Sequence, residues 1–273
     1  MLAVQRRSRI LAELDRDGSV RVSDLVELLG VSDMTIRRDL QVMHREGLLE
    51  KVHGGATVRA EPSSLEPGFE AKSARRLAEK EAIAARAAQQ VRPGSAIAVS
   101  AGTTTHAFAR HLVDIPGLTV VTNSIWVADV LHRSGQDSVS VLLTGGLRTP
   151  SDALVGPVAI AALHSLHVDT VFMGVHGMDP HAGFSTPNLL EAETNRAMIR
   201  AARRLVVLTD SSKWGVVGLS SMAELSDASV IISDTDMSAQ VSAFLADRCD
   251  ELLLVSPDRE ATPAGAQDES GRG

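Results

Sequence analysis

The sequence predicts an α/β chain in two parts, an N-terminal winged helix-turn-helix unit followed by a larger Rossmann-like parallel sheet. Three observations carry that reading. Two short amphipathic stretches meet at Gly30 and are followed by a glycine-centred hairpin. Seven short apolar runs then alternate with helical stretches between residues 95 and 255. The turns after several of those runs repeat glycine beside serine or threonine. With 273 residues and 44% hydrophobic content, the chain can bury a sizeable core and is long enough for two domains. The boundaries expected are 1–58 for the small unit, 59–73 for a linker, 74–256 for the sheet and 257–273 for a polar, disordered tail.

The small unit opens with a helix over Val4 to Leu14, with Val4, Leu11 and Leu14 on one side and Ile10 beside them, closed by Asp17-Gly18. Val22, Leu25, Val26 and Leu29 fall at i, i+3, i+4 and i+7, so a second short helix ends at Gly30. Ser32 can N-cap a third, and Asp33 in its first turn suits the positive end of the helix dipole. Stepping about 100° per residue, Ile36, Leu40 and Met43 share one face. Met34, Arg38, Gln41 and Arg45 point away from it, flanked by Thr35 and Arg37, and Gly47 ends the helix. This is helix-turn-helix spacing, in which the first helix of the pair braces the second for entry into a major groove. Two strand-like runs about His53-Gly54-Gly55 follow as a wing. Arginine and glutamine can make bidentate contacts to guanine and adenine edges, while Lys51, His53 and the wing backbone at Gly54 suit phosphate or the minor groove. The candidate DNA contacts are therefore Ser32, Met34, Thr35, Arg37, Arg38, Gln41, Arg45, Lys51, His53 and Gly54.

Ala60 to Phe69 contains two prolines and little apolar periodicity, which reads as a linker. Lys72 to Gln90 is alanine-rich and helical, able to connect domains or to pack at a dimer interface. Strands are expected at 95–100, 118–122, 139–143, 168–175, 204–209, 229–233 and 251–255. Most are apolar throughout, as strands covered on both faces should be. Helices fit between them at 104–112, 125–133, 158–166, 190–202 and 238–248.

Ligands of open α/β sheets bind beyond the carboxyl ends of the strands. There Ser100-Ala101-Gly102-Thr103-Thr104-Thr105 opens a helix, offering glycine for close approach of an anion, unpaired amides and three threonine hydroxyls. Thr122-Asn123-Ser124 and Thr144-Gly145-Gly146 repeat the chemistry, and Asp210-Ser211-Ser212-Lys213 adds an ammonium. Any one such turn is as readily a plain helix cap. The same edge carries Asp179 and Glu191, and carboxylates beside phosphate cradles describe a phosphorylated polyol. The candidate ligand set is Ser100, Gly102, Thr103, Thr104, Thr105, Asn123, Gly145, Gly146, Asp179, Glu191 and Lys213.

TIRRDL followed by EGLLEKVHGGA closely resembles the amino-terminal signature of the DeoR family of bacterial transcription regulators. GTTT, VVTN, TGG, GFSTPNLLEAE and DSSKWG are similar to that family's sugar-phosphate sensor, itself similar to ribose phosphate isomerases and CoA transferases. The resemblance implies that Thr35, Arg37, Arg38 and Gln41 lie at the operator. It implies phosphate contacts from Gly102, Thr103, Thr104 and Lys213, and sugar contacts near Asn123, Asp179 and Glu191. A regulator, most simply a repressor, answering to a phosphorylated sugar is the expected function. Two departures bear on the ligand: Ser100 stands where many relatives have aspartate, and Asn195 where many have lysine.

The alternative is an isomerase-like enzyme with an appended DNA-binding domain, which needs a positioned acid-base carboxylate and a cation at the carbonyl. The isomerase pattern has two aspartates after the fourth strand, and His176 occupies the first of those places; Phe184 to Leu190 lacks the lysine that should follow. No catalytic residue is therefore assigned. Net charge is −7, yet residues 1–59 hold ten basic against nine acidic side chains, so DNA affinity must come from a local patch. None of the nine histidines has partners at metal-ligand spacing, and neither a metal nor a cofactor is expected. Trp126 and Trp214 read as packing residues, and Cys249 as a buried thiol in a helix. No apolar run approaches a membrane span. The expected setting is the cytoplasm, and the expected partners are double-stranded operator DNA, a small phosphorylated sugar and further copies of the chain in an even-numbered oligomer.

Overall fold

The computed structural model describes residues 3–17, 19–45, 48–52, 54–57, 64, 66, 68–73, 75–133 and 139–257. His53, the helix stops read at Gly18 and Gly47, and the tail from 258 to 273 lie outside the described residues.

The head begins with α1 (Ala3–Asp17), β1 (Ser19–Arg21), α2 (Val22–Leu29) and α3 (Asp33–Arg45), then closes with β2 (Glu50–Val52) and β3 (Gly55–Thr57). Gly30 stops α2 in the left-handed region at φ 62°, its amide returning to the carbonyl of Val26, a conformation that glycine enters without a Cβ clash. Ile10, Leu14, Leu25, Leu29, Ile36, Leu40 and Met43 form one buried cluster, joined by Leu49 and Ala56 from the wing. Val26, expected in the stripe, packs only against its margin. The wing has three strands in the order β1-β3-β2, all antiparallel, where the sequence suggested two. Ser19-Val20-Arg21 was illegible as a strand because three residues carry no period.

Between head and body, the stretch read as a linker contains α4 (Phe69–Ser73), with Phe69 buried. The alanine-rich segment is therefore two helices, α4 and α5 (Leu77–Ala88), separated at Arg76, which takes a positive φ of 52°. Helix α5 covers the sheet through Ile83, Ala84 and Ala87, with neither connector nor interface required to explain its apolar face.

The body continues with β4 (Ala96–Val99), α6 (Thr103–Arg110), β5 (Leu118–Thr122), α7 (Ile125–Arg133) and β6 (Val139–Leu143). A small hairpin, β7 (Leu147–Arg148) and β8 (Leu154–Val155), leads to α8 (Pro157–His164) and β9 (Thr170–Gly174). Next come β10 (Gly177–Asp179), β11 (Gly183–Thr186), α9 (Leu189–Ala201), β12 (Leu205–Leu208), β13 (Ser220–Ala223), β14 (Val230–Asp234), α10 (Ala239–Ala246) and β15 (Glu251–Val255). Seven strands form one parallel sheet in the order β15-β14-β12-β9-β4-β5-β6.

Its central strands are apolar throughout because both faces are covered. Ile97 and Val99 enter the cluster under α5, α6 and α7, while Ala98 enters the one containing residues of α8 and α9. Strand β6 departs from that reason: Val141, Leu142 and Leu143 are 37–44% exposed. An edge strand has only one neighbour, so although Val139 packs against the cluster under α7, the rest of β6 keeps much of its surface in solvent. Two antiparallel pieces escaped the sequence reading, the β7–β8 hairpin and the sheet β10-β11-β13, whose strands are too short to alternate visibly. Cys249 is buried as expected, but beyond the end of α10 and not within it.

Candidate functional site

In the head, α3 is held by its apolar side and offers the other. Ile36, Leu40 and Met43 have no exposed surface. Met34 is 76% exposed, and Arg37, Arg38, Gln41 and Arg45 are exposed with it, as is Lys51 on the wing. Ser32 works as the N-cap: its hydroxyl accepts from the Thr35 amide at 3.3 Å and lies 2.9 Å from the Thr35 hydroxyl. Arg37 is paired one turn back with Asp33 at 2.5 Å, which raises its pKa, first through the hydrogen bond and then through charge. Among the described residues no carboxylate pairs with Arg38, so its guanidinium is available. Gly54 sits in the wing turn at φ 82°.

What fixes α3 to α1 is a pairing between helices that no local pattern spells out. Asp39 is 3% exposed and accepts from Arg6 Nε at 2.5 Å and Arg7 Nε at 3.1 Å. A cleft of about 390 Å³ beside them is lined by Arg6, Arg7, Ser32, Thr35 and Arg38. A buried aspartate paired from another helix has no local signature; only its polarity on the inner side of α3, next to Leu40, hinted at a partner.

In the body, the strand order marks where a doubly wound sheet would open a ligand crevice. From β4 the chain winds outward through β5 to β6, then returns to β9 and winds the opposite way through β12 and β14 to β15. The order reverses between β4 and β9, and a doubly wound sheet opens its crevice at such a switch point, beyond the carboxyl ends. The turn after β4 is the glycine-threonine turn. It is tied to the end of β9 by the Ser100 hydroxyl, which accepts from the Gly174 amide at 3.1 Å, and by the Ser100 amide, which donates to the Phe172 carbonyl.

The repeated turns are not equivalent. Helix α6 is N-capped by Gly102, so no side chain takes its first-turn amides. Thr103 is half-buried, Thr104 is buried, and the buried Thr105 hydroxyl donates to the Gly102 carbonyl. After β5, by contrast, Ser124 accepts from the Val127 amide, and the Asn123 side chain accepts from Ala101 at 2.8 Å and donates to Leu154 at 3.2 Å. Asn123 is fully buried and ties the turns after β4 and β5 to strand β8. Gly145 is half-buried; Gly146 is exposed, and a Cβ there would stand 2.5 Å from the Val155 carbonyl oxygen, so this glycine lets the β7–β8 hairpin close.

Asp179 has its carboxylate engaged by the amides of His181 and Ala182 in its own hairpin turn, which holds its pKa down. Among the described residues no hydrogen bond or ion pair joins it to the other candidates. Glu191 accepts from the Thr186 hydroxyl at 2.9 Å, and burial pushes its carboxyl up against the opposing pull of Lys72. Lys213 ends the turn after β12, the neighbour of β9, and is half-buried.

Three groups missed by the sequence reading join this edge. Burial, and then the charges of Lys213 and Lys72, push His176 at the end of β9 down to about 4. Burial first of all brings Lys80 down to about 8; its ammonium donates to the carbonyls of Lys72 and Arg75. Lys72 itself acts on both His176 and Glu191. The crevice thus has cations from two directions around a neutral imidazole. The two lysines precede the histidine by about a hundred residues, and no period or spacing in the sequence shows that they meet.

The histidine has a measurable consequence. Its pKa is depressed in the folded chain from 6.5, so between about pH 6.5 and 4 the unfolded chain binds a proton that the folded one refuses. Stability is fully present above that window and falls as pH drops through it. Urea unfolding of wild type and His176→Gln from pH 7 to pH 4 is expected to show a shallower decline in the variant; parallel curves would contradict the assignment. His106, also depressed chiefly by burial, is present in both proteins and cancels.

Two family models match the chain, the DeoR-like helix-turn-helix domain over residues 6–61 and the DeoR C terminal sensor domain over residues 75–235. The chain belongs to the DeoR family. Among its relatives, a putative aga operon transcriptional repressor of Escherichia coli O157:H7 is 36% identical over 92% of this chain and 93% of that protein. The glycerol-3-phosphate regulon repressor of Escherichia coli K12 is 29% identical over 93% of this chain and all of its own length. Ribose 5-phosphate isomerase A of Neisseria gonorrhoeae is similar in structure with a TM-score of 0.37 and 14% identity, covering 50% of this chain and 52% of that one, a likeness too slight to bear on function. As a DeoR-family member with a DNA-binding head and a sensor, the chain is a ligand-controlled regulator of transcription. No helix among the described residues is long and apolar enough to cross a membrane.

Proposed function

We propose that the chain is a repressor whose head, residues 1–58, grips operator DNA and whose body, residues 74–256, adjusts that grip on binding a phosphorylated sugar or related metabolite. The observation that carries the ligand reading is the uncapped Gly102-Thr103-Thr104 turn at the switch point, with Lys213 on a neighbouring turn. Uncapped first-turn amides and an ammonium suit a phosphate, and the hydroxyl-bonded Glu191 suits a polyol. The repressive sense is extended from the names of the two relatives.

On the head, Arg38, Gln41 and Arg45 are assigned to base edges or phosphates, with Thr35, Met34 and Ser32 near the backbone and Lys51 and the Gly54 turn on the wing side. Operators read by such heads are paired half-sites, which favours an even-numbered homo-oligomer. Work on the chromosome sets the compartment as the cytoplasm. Catalysis forms no part of this reading: the isomerase pattern needs an aspartate where His176 stands and a lysine in the run Phe184 to Leu190, and this chain has neither. Product formation from pentose or hexose phosphates would reverse that conclusion.

The decisive experiment is a metabolite screen read by operator release. Lys213→Ala is expected to weaken the active phosphate ester by about tenfold or more while leaving operator affinity without ligand unchanged. Isothermal titration and DNA anisotropy read the two quantities separately; equal damage to both would argue against separable sites.

A further inference from the structure

The segment between head and body is fastened to the parts of the sensor that carry the ligand turns. Glu66 accepts from the Ser151 amide at 3.1 Å, the Ser151 hydroxyl at 2.5 Å and the Asn188 amide group at 2.8 Å. Ser151 lies in the β7–β8 turn, downstream of Gly145-Gly146. Asn188 N-caps α9, accepting from the amides of Leu190 and Glu191, so the group that holds Glu66 also sets the first turn bearing Glu191. Three residues past Glu66, Phe69 stacks on Trp126 of α7 with centroids 5.1 Å apart and meets His106 of α6 edge-on at 5.5 Å. Trp126 in turn donates to Asp152 at 2.8 Å, back in the β7–β8 turn. Lys80 Nζ grips the carbonyls of Lys72 and Arg75 at 2.5 and 2.6 Å. Arg76 ends the strap at a positive φ, with Asp236 at 2.9 Å, Asp234 at 3.3 Å, Glu79 at 3.5 Å and Asp210 at 3.6 Å.

A mere spacer needs none of these fastenings. A left-handed non-glycine residue persists only where its surroundings hold it, and Arg76 is held by carboxylates from the ends of β12 and β14. The strap therefore touches the helix after the glycine-threonine turn, the helix after Asn123, the turn beyond Gly146 and the cap of the Glu191 helix.

Resting on the sensing role assigned above, we propose that the strap from Glu66 to Arg76 forms one wall of the effector crevice, contributing Lys72, and transmits occupancy to the head by releasing or reseating Glu66 on Ser151 and Asn188. The burden of Glu66 there is plain from its chemistry: burial works against its charge, and bonds from Asn188, Ser151 and Thr149 outweigh that and hold its carboxyl ionised. A ligand that draws on Lys72 or shifts the first turn of α9 changes that balance. Coupling needs a two-state element biased by both sites, and a strap whose Glu66 end can detach while Phe69, Lys80 and Arg76 keep the rest in place is such an element.

The test uses full-length protein and the duplex that wild type selects from a random pool. Glu66→Gln places an amide donor against the Asn188 donor and breaks one fastening. Without any ligand, its duplex affinity is expected to change about fivefold or more. Glu66→Gln with Asn188→Asp restores donor to acceptor, keeps a good N-cap and is expected to return affinity towards wild type. Lys72→Met is the second variant should Glu66→Gln melt early, with the same expected change.

Glycerol 3-phosphate, ribose 5-phosphate and fructose 1-phosphate serve as probes. Any that raises the melting temperature of wild type is expected to alter amide exchange over residues 66–76 in wild type and not in Glu66→Gln. Wild-type affinity in both single variants, or exchange over the strap indifferent to a bound probe, overturns the proposal. If no probe binds wild type, the sugar-phosphate reading fails alone, and the ligand-free comparison still decides the strap.

Discussion

Leu40→Ala is expected to destabilise the head by about 2–5 kcal/mol and to abolish operator binding, leaving the body folded. Leu40 is fully buried among Ile36, Met43, Leu25 and Leu29 and faces no solvent into which a cavity could collapse. A unit of this size has little stability in reserve, since domains hold about 5–15 kcal/mol and the smallest sit at or below the low end. Calorimetry should therefore show the transition of the head lowered or lost while that of the body stays in place. A single transition shifted as a whole would mean that the two parts do not unfold separately.

Arg38→Ala is expected to lower operator affinity by about 1–3 kcal/mol, roughly 5- to 150-fold, if its guanidinium reads a guanine edge. The exposed position and the lack of a carboxylate partner among the described residues are the reasons to choose it over Arg37, which Asp33 already holds. Stability should be unchanged, which separates this variant from Leu40→Ala. Base contact and phosphate contact are distinguished by a binding series against single-base substitutions. Loss confined to one position marks a base contact, and uniform loss with a shallower salt dependence marks a phosphate contact. Undiminished affinity would remove Arg38 from the interface.

What could be read from the residues follows a physical line. Period and caps are local, so the end of α2 at Gly30, the start of α3 after Ser32 and the runs Leu118–Thr122, Val139–Leu143 and Glu251–Val255 were legible to the residue. Burial of Ile36, Leu40 and Met43 followed from their spacing alone. Long-range pairings leave no such trace. Asp39 with Arg6 and Arg7, Glu66 with Ser151 and Asn188, and Arg76 with carboxylates more than 130 residues away each depend on tertiary placement. The turns after β4, β5 and β6 looked alike in composition, and only hydrogen-bond partners separated the helix start at Gly102, free of a side-chain cap, from Ser124, a cap, and Asn123, a structural knot.

The join of β4 to β9 sets an order of events during synthesis. Ile97 pairs with Thr170 and Val99 with Phe172, so the central strand must wait for a neighbour more than seventy residues downstream. At translation rates of about 5–20 residues per second, that delay is roughly 4 to 15 s. The head needs only its own early contacts and can be finished first. A nascent chain thus presents a finished helix-turn-helix head while the sheet behind it is still being assembled.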